Sequence, residues 1–420
     1  MSSARELRCD DHGHRASLDE PVTLCPVCGS LMEYIYDLET LPKDFAELAA
    51  SRRAERMWRW RDLFPLPASA AVVSLGEGDT PLIDVDPLAH LVGVRRLLIK
   101  NDAMMPTGSF KDRGFSLAVS QAWHLGLRSG FTYSSGNAGA SFAAYAAQAG
   151  MRAQVFVEEA ANKSKVAAIS LHGAEVHRLT YSSSAEIFTA LEILARDGEY
   201  TFVNFVNPVR HEAMKTYAYE ICESLHWDVP DVMVHPVGTG GGLWGAWKGF
   251  TELRKLGLID RLPRMVGVQA AACAPLVDAF DRDSPATERH GDATKTLAQS
   301  IAGDSMIHGG RRVLKAIRDS GGAAIAVGED ELRDAVLRLG HVGIPAEPSA
   351  AAPLAALLSA REQGHVTGSD TVVAVVTGSA LKQPNAIRAM VPAPRNTVRA
   401  DAQLWRTILS SSADTLQLAE

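Results

Sequence analysis

The chain has 420 residues, 46% of them hydrophobic and 22% charged, which is globular usage and excludes a largely disordered protein. Lys and Arg number 42 against 49 Asp and Glu, a net charge of −7, so no sequence-independent hold on nucleic acid or anionic lipid is expected. No run reaches the roughly 18 apolar residues of a membrane helix, and the opening residues lack the apolar core of a signal peptide. Five cysteines are too few for a disulfide framework in a chain this long, so a reducing, cytoplasmic compartment is expected.

Residues 1–40 are polar and hold three of the five cysteines. Cys9-x-x-His12 and Cys25-x-x-Cys28 are knuckle-like pairs with twelve residues between them, the ligand types and spacing of a small zinc ribbon, with His14 as an alternative ligand. From residue 94 onward, short apolar runs alternate with longer helical patterns. Strands are predicted at 96–100, 130–133, 153–157, 174–177, 200–204, 231–235, 265–268, 323–327 and 371–376. Helices between them stop at Gly126, Gly150, Gly198 and Gly257. This alternation predicts parallel sheets covered on both faces, an α/β fold. Residues 281–310, rich in Asp, Gly and Ser, read as a long loop, and 392–420 as a weakly helical tail. Cys222 and Cys273 read as buried small hydrophobes.

Three glycine-rich turns each follow a strand and precede a helix, where free amides and the helix dipole hold anions. The third, Gly238-Thr239-Gly240-Gly241-Gly242, continues to Gly245 and so matches a dinucleotide fingerprint, which admits a nicotinamide dehydrogenase as an alternative. No Gly-Lys-Ser/Thr follows it, so a phosphate there is held by amides alone. The second, Ser134-Ser135-Gly136-Asn137, offers amide, hydroxyl and carboxamide groups to a carboxylate or phenolic oxygen, or simply caps its helix. The first places Lys111 at a helix start, where the positive dipole end lowers the ammonium pKa and suits a Schiff-base amine.

Six motifs occur in order: Gly76-Glu-Gly-Asp-Thr-Pro-Leu82, Pro106-Thr-Gly-Ser-Phe-Lys-Asp-Arg-Gly114, Ser134-Ser-Gly-Asn-Ala-Gly-Ala-Ser141, Val206-Asn-Pro-Val-Arg-His-Glu212, Glu347-Pro-Ser-Ala-Ala351 and Thr377-Gly-Ser-Ala-Leu-Lys382. From about residue 70 to 385 the series resembles the threonine synthase group of the fold-type II pyridoxal-phosphate enzymes. The resemblance implies that Lys111 holds pyridoxal phosphate as a Schiff base and shuttles protons along the substrate carbon chain. It implies Asn137 at the cofactor's phenolic oxygen, Gly238 to Gly242 around its phosphate, and Thr377 opposite its pyridine nitrogen. A neutral hydroxyl there favours elimination and replacement over transamination. The substrate is expected to be a small amino acid with an anionic leaving group. Its carboxylate belongs at Ser134 to Asn137, and candidates for its distal anion are Lys100, Thr107, Ser109, Asn207 and Arg210. The best-matching reaction is O-phosphohomoserine plus water to threonine plus phosphate, with cysteate synthase-like or dehydratase-like chemistry as alternatives.

The expected organisation is a zinc-ribbon-like extension (1–40), a large cofactor-binding domain (67–115 and 211–395), a small α/β domain (116–210) and a tail (396–420). A homodimer is expected by resemblance. The chain departs from the group's usual pattern at Met105, Thr239, Gly242, Ile307 to Gly310 and Ser379-Ala380, which bears on the substrate rather than on the cofactor chemistry.

Overall fold

A computed structural model describes residues 2–161, 163–180, 190, 193, 201–202, 204, 206–392 and 399–411. Thirteen strands form three sheets among these residues. The N-terminal one is antiparallel, in the order β2 (Arg15–Ala16), β1 (Ala4–Cys9), β3 (Met32–Tyr36). A six-stranded sheet runs β12 (Ala323–Val327), β11 (Arg264–Ala270), β10 (Val232–Pro236), β13 (Thr371–Val376), β5 (Arg96–Asn101), β4 (Leu82–Asp84). All its pairs are parallel except the β4 edge. A four-stranded parallel sheet runs β8 (Glu175–Leu179), β7 (Arg152–Glu158), β6 (Ser129–Tyr133), β9 (Thr201–Phe202).

The parallel strands lie where β-branched and apolar runs predict them, because a strand buried on both faces needs a continuous apolar run rather than alternation. In β10 all five residues are buried, and in β13 five of six. Three of the predicted helix-stopping glycines, Gly126, Gly150 and Gly257, take positive φ; Gly198 lies outside the described residues. Residues 201–202 are a strand, while 200 and 203 lie outside the described set. Residues 282–306 contain only the short turn Ala293–Lys295 of helical structure. The helix Ala402–Ser411 occupies part of the tail. No helix among the described residues is long and apolar enough to cross a membrane.

The sheets of 129–202 and of 82–101 plus 232–376 are joined by the helix Lys111–His124, which spans the expected domain boundary at 115/116. Its anchoring explains the first motif. Glu77, wholly buried, accepts hydrogen bonds from Trp58 Nε1, Ser116 Oγ, Tyr145 Oη and the Leu75 amide. One carboxylate thereby ties the segment 53–63 to the lysine helix and to the helix Asn137–Ala149 of the small sheet.

Candidate active site

Lys111 is the first residue of its helix, as the sequence predicts. The run that follows it is structural. Asp112 accepts from the Thr107 amide and hydroxyl and from Ser141 Oγ, which fixes the Pro106–Ser109 turn and the neighbouring helix on one carboxylate. Burial raises that carboxyl to about 6. Arg113, fully buried, bridges Asp102 (2.8 Å) and Glu220 (2.5 Å).

Lys111 lines a cavity of about 140 Å³ together with Phe110, His235, Gly238 to Gly242, Ser300 to Gly303, Glu347 and Thr377. Burial, then the positive charge of Arg210, push its ammonium well below the ordinary lysine value, against the pull of Glu347. An amine so placed is available as a nucleophile near neutral pH.

The five cradle residues Gly238 to Gly242 bend from β10 into the helix Gly241–Lys255 and present its N-terminal amides to the cavity. Gly240 has φ +87°, and a Cβ there would lie 2.2 Å from Val313 Cγ2. A Cβ on Gly242 would lie 2.5 Å from the His235 ring. At Gly240 and Gly242 only backbone fits, which suits a phosphate held by amides. Residues 299–305 of the predicted long loop, given no site role by the sequence, cover the cradle, with Ile301 Cα 3.3 Å from a Cβ built on Gly238. Thr377 follows β13 and is 4% exposed at the cavity wall.

A second cavity of about 310 Å³ adjoins the first through shared Ser300 and Glu347. Ser135, Gly136 and Asn137 line it, at the N-terminus of the helix Asn137–Ala149, with Lys165, Lys382 and Gln383 opposite. Asn137 Nδ2 donates to Glu347 Oε1 at 2.8 Å. Burial raises the Glu347 carboxyl, opposed by hydrogen bonds from Ser300 and Asn137. Ser134 is not among the lining residues; its Oγ accepts from the Gly136 amide and shapes the turn.

The expected distal-anion residues are spread out. Lys100 is buried, paired with Glu220 at 2.7 Å and donating to the Thr80 carbonyl, and lines neither cavity. Asn207 caps the helix Pro208–Met214, accepting from the Val209 amide. Ser109 is fully buried, and Thr107 is engaged with Asp112. Arg210 is 1% exposed and lines neither cavity, its guanidinium 4.0 Å above the Phe115 ring and packed on Gly114 of the lysine helix. Burial lowers it to about 9. Of this group, Arg210 is the one whose charge acts on Lys111.

At the N-terminus, ligand atoms of Cys9, His12, Cys25 and Cys28 lie within 4.8 Å of one another. Cys9 and Cys28 sulfurs are 3.6 Å apart, and Cys25 Sγ is 3.5 Å from His12 Nε2. Those separations suit ligands about 2.0–2.3 Å from one tetrahedral zinc ion. Cys222 and Cys273 are buried, as expected.

Residues 73–378 match the family model described as pyridoxal-phosphate dependent enzyme. Threonine synthase of Methanocaldococcus jannaschii is 35% identical over 385 residues, covering 91% of this chain and 94% of that protein. Threonine synthase of Mycobacterium tuberculosis is 38% identical over 328 residues, covering 78% of this chain and 88% of that protein. Among solved structures, a T.th. threonine deaminase superposes with a TM-score of 0.58 at 25% identity, over 72% of this chain and 92% of that one. Maize serine racemase superposes with a TM-score of 0.61 at 18% identity, over 80% and 93%, a likeness of fold. The nicotinamide alternative finds no support in these matches, and Gly245 of its fingerprint instead makes room for Met214 and the His211 carbonyl of a neighbouring helix.

Proposed function

The chain belongs to the pyridoxal-phosphate-dependent enzymes, and we propose that this threonine synthase-like lyase converts O-phosphohomoserine and water into threonine and phosphate. The observation that carries this reading is a buried, pKa-depressed lysine set between two glycine-loop helix N-termini, one walled in and one opening on a cleft. Bound at Lys111, pyridoxal phosphate supplies an electron sink for carbanions along the substrate chain. The Gly238–Gly242 amides would hold its phosphate, and the Thr377 hydroxyl would partner its ring nitrogen. Asn137 Nδ2, anchored on Glu347 at 2.8 Å, gives its second hydrogen to Ser300 Oγ at 3.4 Å, a long contact it would exchange for the phenolic oxygen.

Around that frame the remaining groups bind and move protons. The Ser135–Asn137 amides receive the substrate carboxylate. Lys111 Nζ, depressed by burial, takes and returns protons at successive substrate carbons. Arg210 lines neither cavity, and its positive charge, which acts on Lys111 from behind the lysine helix, would favour the departing phosphate at a distance; Lys100 serves the Glu220 pair instead. Closure of the small sheet toward the large one excludes water other than the reacting molecule. A homodimer and a cytoplasmic location belong to the same reading.

Assaying phosphate release and amino-acid products from O-phosphohomoserine, phosphoserine, threonine and serine tests it. Threonine from phosphohomoserine is expected, and Arg210→Ala should weaken the phosphorylated substrate by roughly ten- to a hundredfold while sparing serine. Equal effects on both, with ammonia released from serine or threonine, would favour a dehydratase. We also propose one structural zinc ion on Cys9, His12, Cys25 and Cys28. Metal analysis should find one per chain, and its removal should loosen residues 2–40 without releasing the cofactor; zinc-free protein purified without chelators would refute this.

A further inference from the structure

His235 stands in β10 just before the cradle, is 1% exposed and lines the cofactor cavity. Its Nδ1 lies 2.8 Å from the Pro236 carbonyl oxygen. A carbonyl only accepts, so Nδ1 carries a hydrogen and Nε2 is the ring's remaining polar atom. Nε2 is buried and has no hydrogen-bond partner among the described residues. It lies 2.7 Å from the point a Cβ on Gly242 would occupy. The imidazole thus fills the space a side chain at position 242 would need, and brings a buried polar side-chain atom to a cradle whose one other polar side chain is the exposed Thr239. Buried polar atoms in native proteins find partners, and this one faces the group the cavity is shaped to hold.

We propose that His235 is a ligand of the cofactor's phosphate, its Nε2 sharing one proton with a phosphate oxygen. Without the phosphate, burial holds the ring neutral, lowering it to about 4. The Pro236 carbonyl and Asp102 pull toward protonation and Lys111 pushes against it. Phe110 and Tyr217 meet the imidazole in T-shaped pairs, with ring centroids 6.0 and 5.6 Å away. A neutral ring would turn a lone pair toward the dianion. One added proton replaces that repulsion with a hydrogen bond, and a phosphate monoester with a second pKa of about 6 shares it readily. Binding pyridoxal phosphate therefore takes up a proton that binding pyridoxal does not.

The test compares wild type, His235→Val and His235→Gln in the full chain, each stripped of cofactor and titrated with pyridoxal phosphate and with pyridoxal. His235→Val should bind the phosphorylated cofactor roughly ten- to a hundredfold more weakly and pyridoxal unchanged. His235→Gln, whose amide donates without titrating, should recover most of that affinity. Calorimetry at one pH in two buffers of different ionisation heat should show wild type taking up about one more proton than His235→Gln, since exchange at Lys111 cancels between them. Equal loss for both ligands in His235→Val would make the imidazole a packing residue and overturn the proposal. So would wild-type affinity in His235→Val, or identical proton uptake in wild type and His235→Gln.

Discussion

Two turns of this molecule have the same local form, strand to glycine turn to helix N-terminus, and differ in what stands behind them. Around Gly238 to Gly242, Val313, Ile301 and His235 already fill the side-chain positions. Behind Gly136, a Cβ would meet only Ser134 Oγ, at 3.9 Å, and the loop faces a cleft of about 310 Å³. A ligand that stays can be held by a site that has no other shape. A ligand that must enter, react and leave needs a loop with room beside it. On the proposed reading, the same anion-binding geometry would serve a resident phosphate on one side of Lys111 and an exchangeable carboxylate on the other.

The largest effect comes from removing the group both turns serve. Lys111→Ala should lower turnover by roughly a thousandfold or more, with an unchanged circular-dichroism spectrum, because covalent attachment and proton transfer are lost together. Lys111→Arg should fail equally, since its guanidinium stays protonated. Gly240→Ala comes next. A left-handed alanine costs about 1–2 kcal/mol, and the clash with Val313 adds about 1–3 kcal/mol, so both melting temperature and cofactor affinity should fall.

The walled-in turn also has a pH signature. His235 is held near 4, below the ordinary histidine value, so the unfolded chain gains its proton first as the pH falls. Its contribution to the stability of the cofactor-free protein is present above about pH 6.5 and lost toward pH 4. The stability difference between wild type and His235→Gln, measured by denaturant titration, should shrink by roughly 2–3 kcal/mol across that window. Subtracting the two removes Asp112, whose raised carboxyl acts with the opposite sign over the same range. The smallest effect should be Gly136→Ala, within about 1 kcal/mol in stability and neutral in cofactor affinity. If it proves as damaging as Gly240→Ala, the contrast between the two turns fails.

The buried parallel strands and Lys111 were legible because their signals are local: continuous apolar runs, and a lysine opening a helix after a glycine turn. β4 and the strands of residues 4–36 were not, being short, half-polar and dependent on partners elsewhere in the chain. Lys100 shows the limit of reading cations one at a time. It stands near the end of β5, shortly before the lysine motif, yet Glu220, from a distant helix, neutralises it in the core. His235 was silent for the opposite reason, since a single histidine inside Val-Met-Val-His-Pro looks like core until the fold brings Gly242 against it. Glu347 lay within a recognised motif, but its hold on Asn137 joins residues far apart in the chain that only the fold brings together.

The account stands on Lys111 as the cofactor's attachment point, and reductive trapping addresses that directly. Borohydride reduction of the cofactor-loaded protein, followed by proteolysis and mass spectrometry, should give one pyridoxyl group per chain, on the peptide containing Lys111. A pyridoxyl group on another lysine such as Lys165 or Lys382 of the adjoining cleft, or none at all, would contradict it.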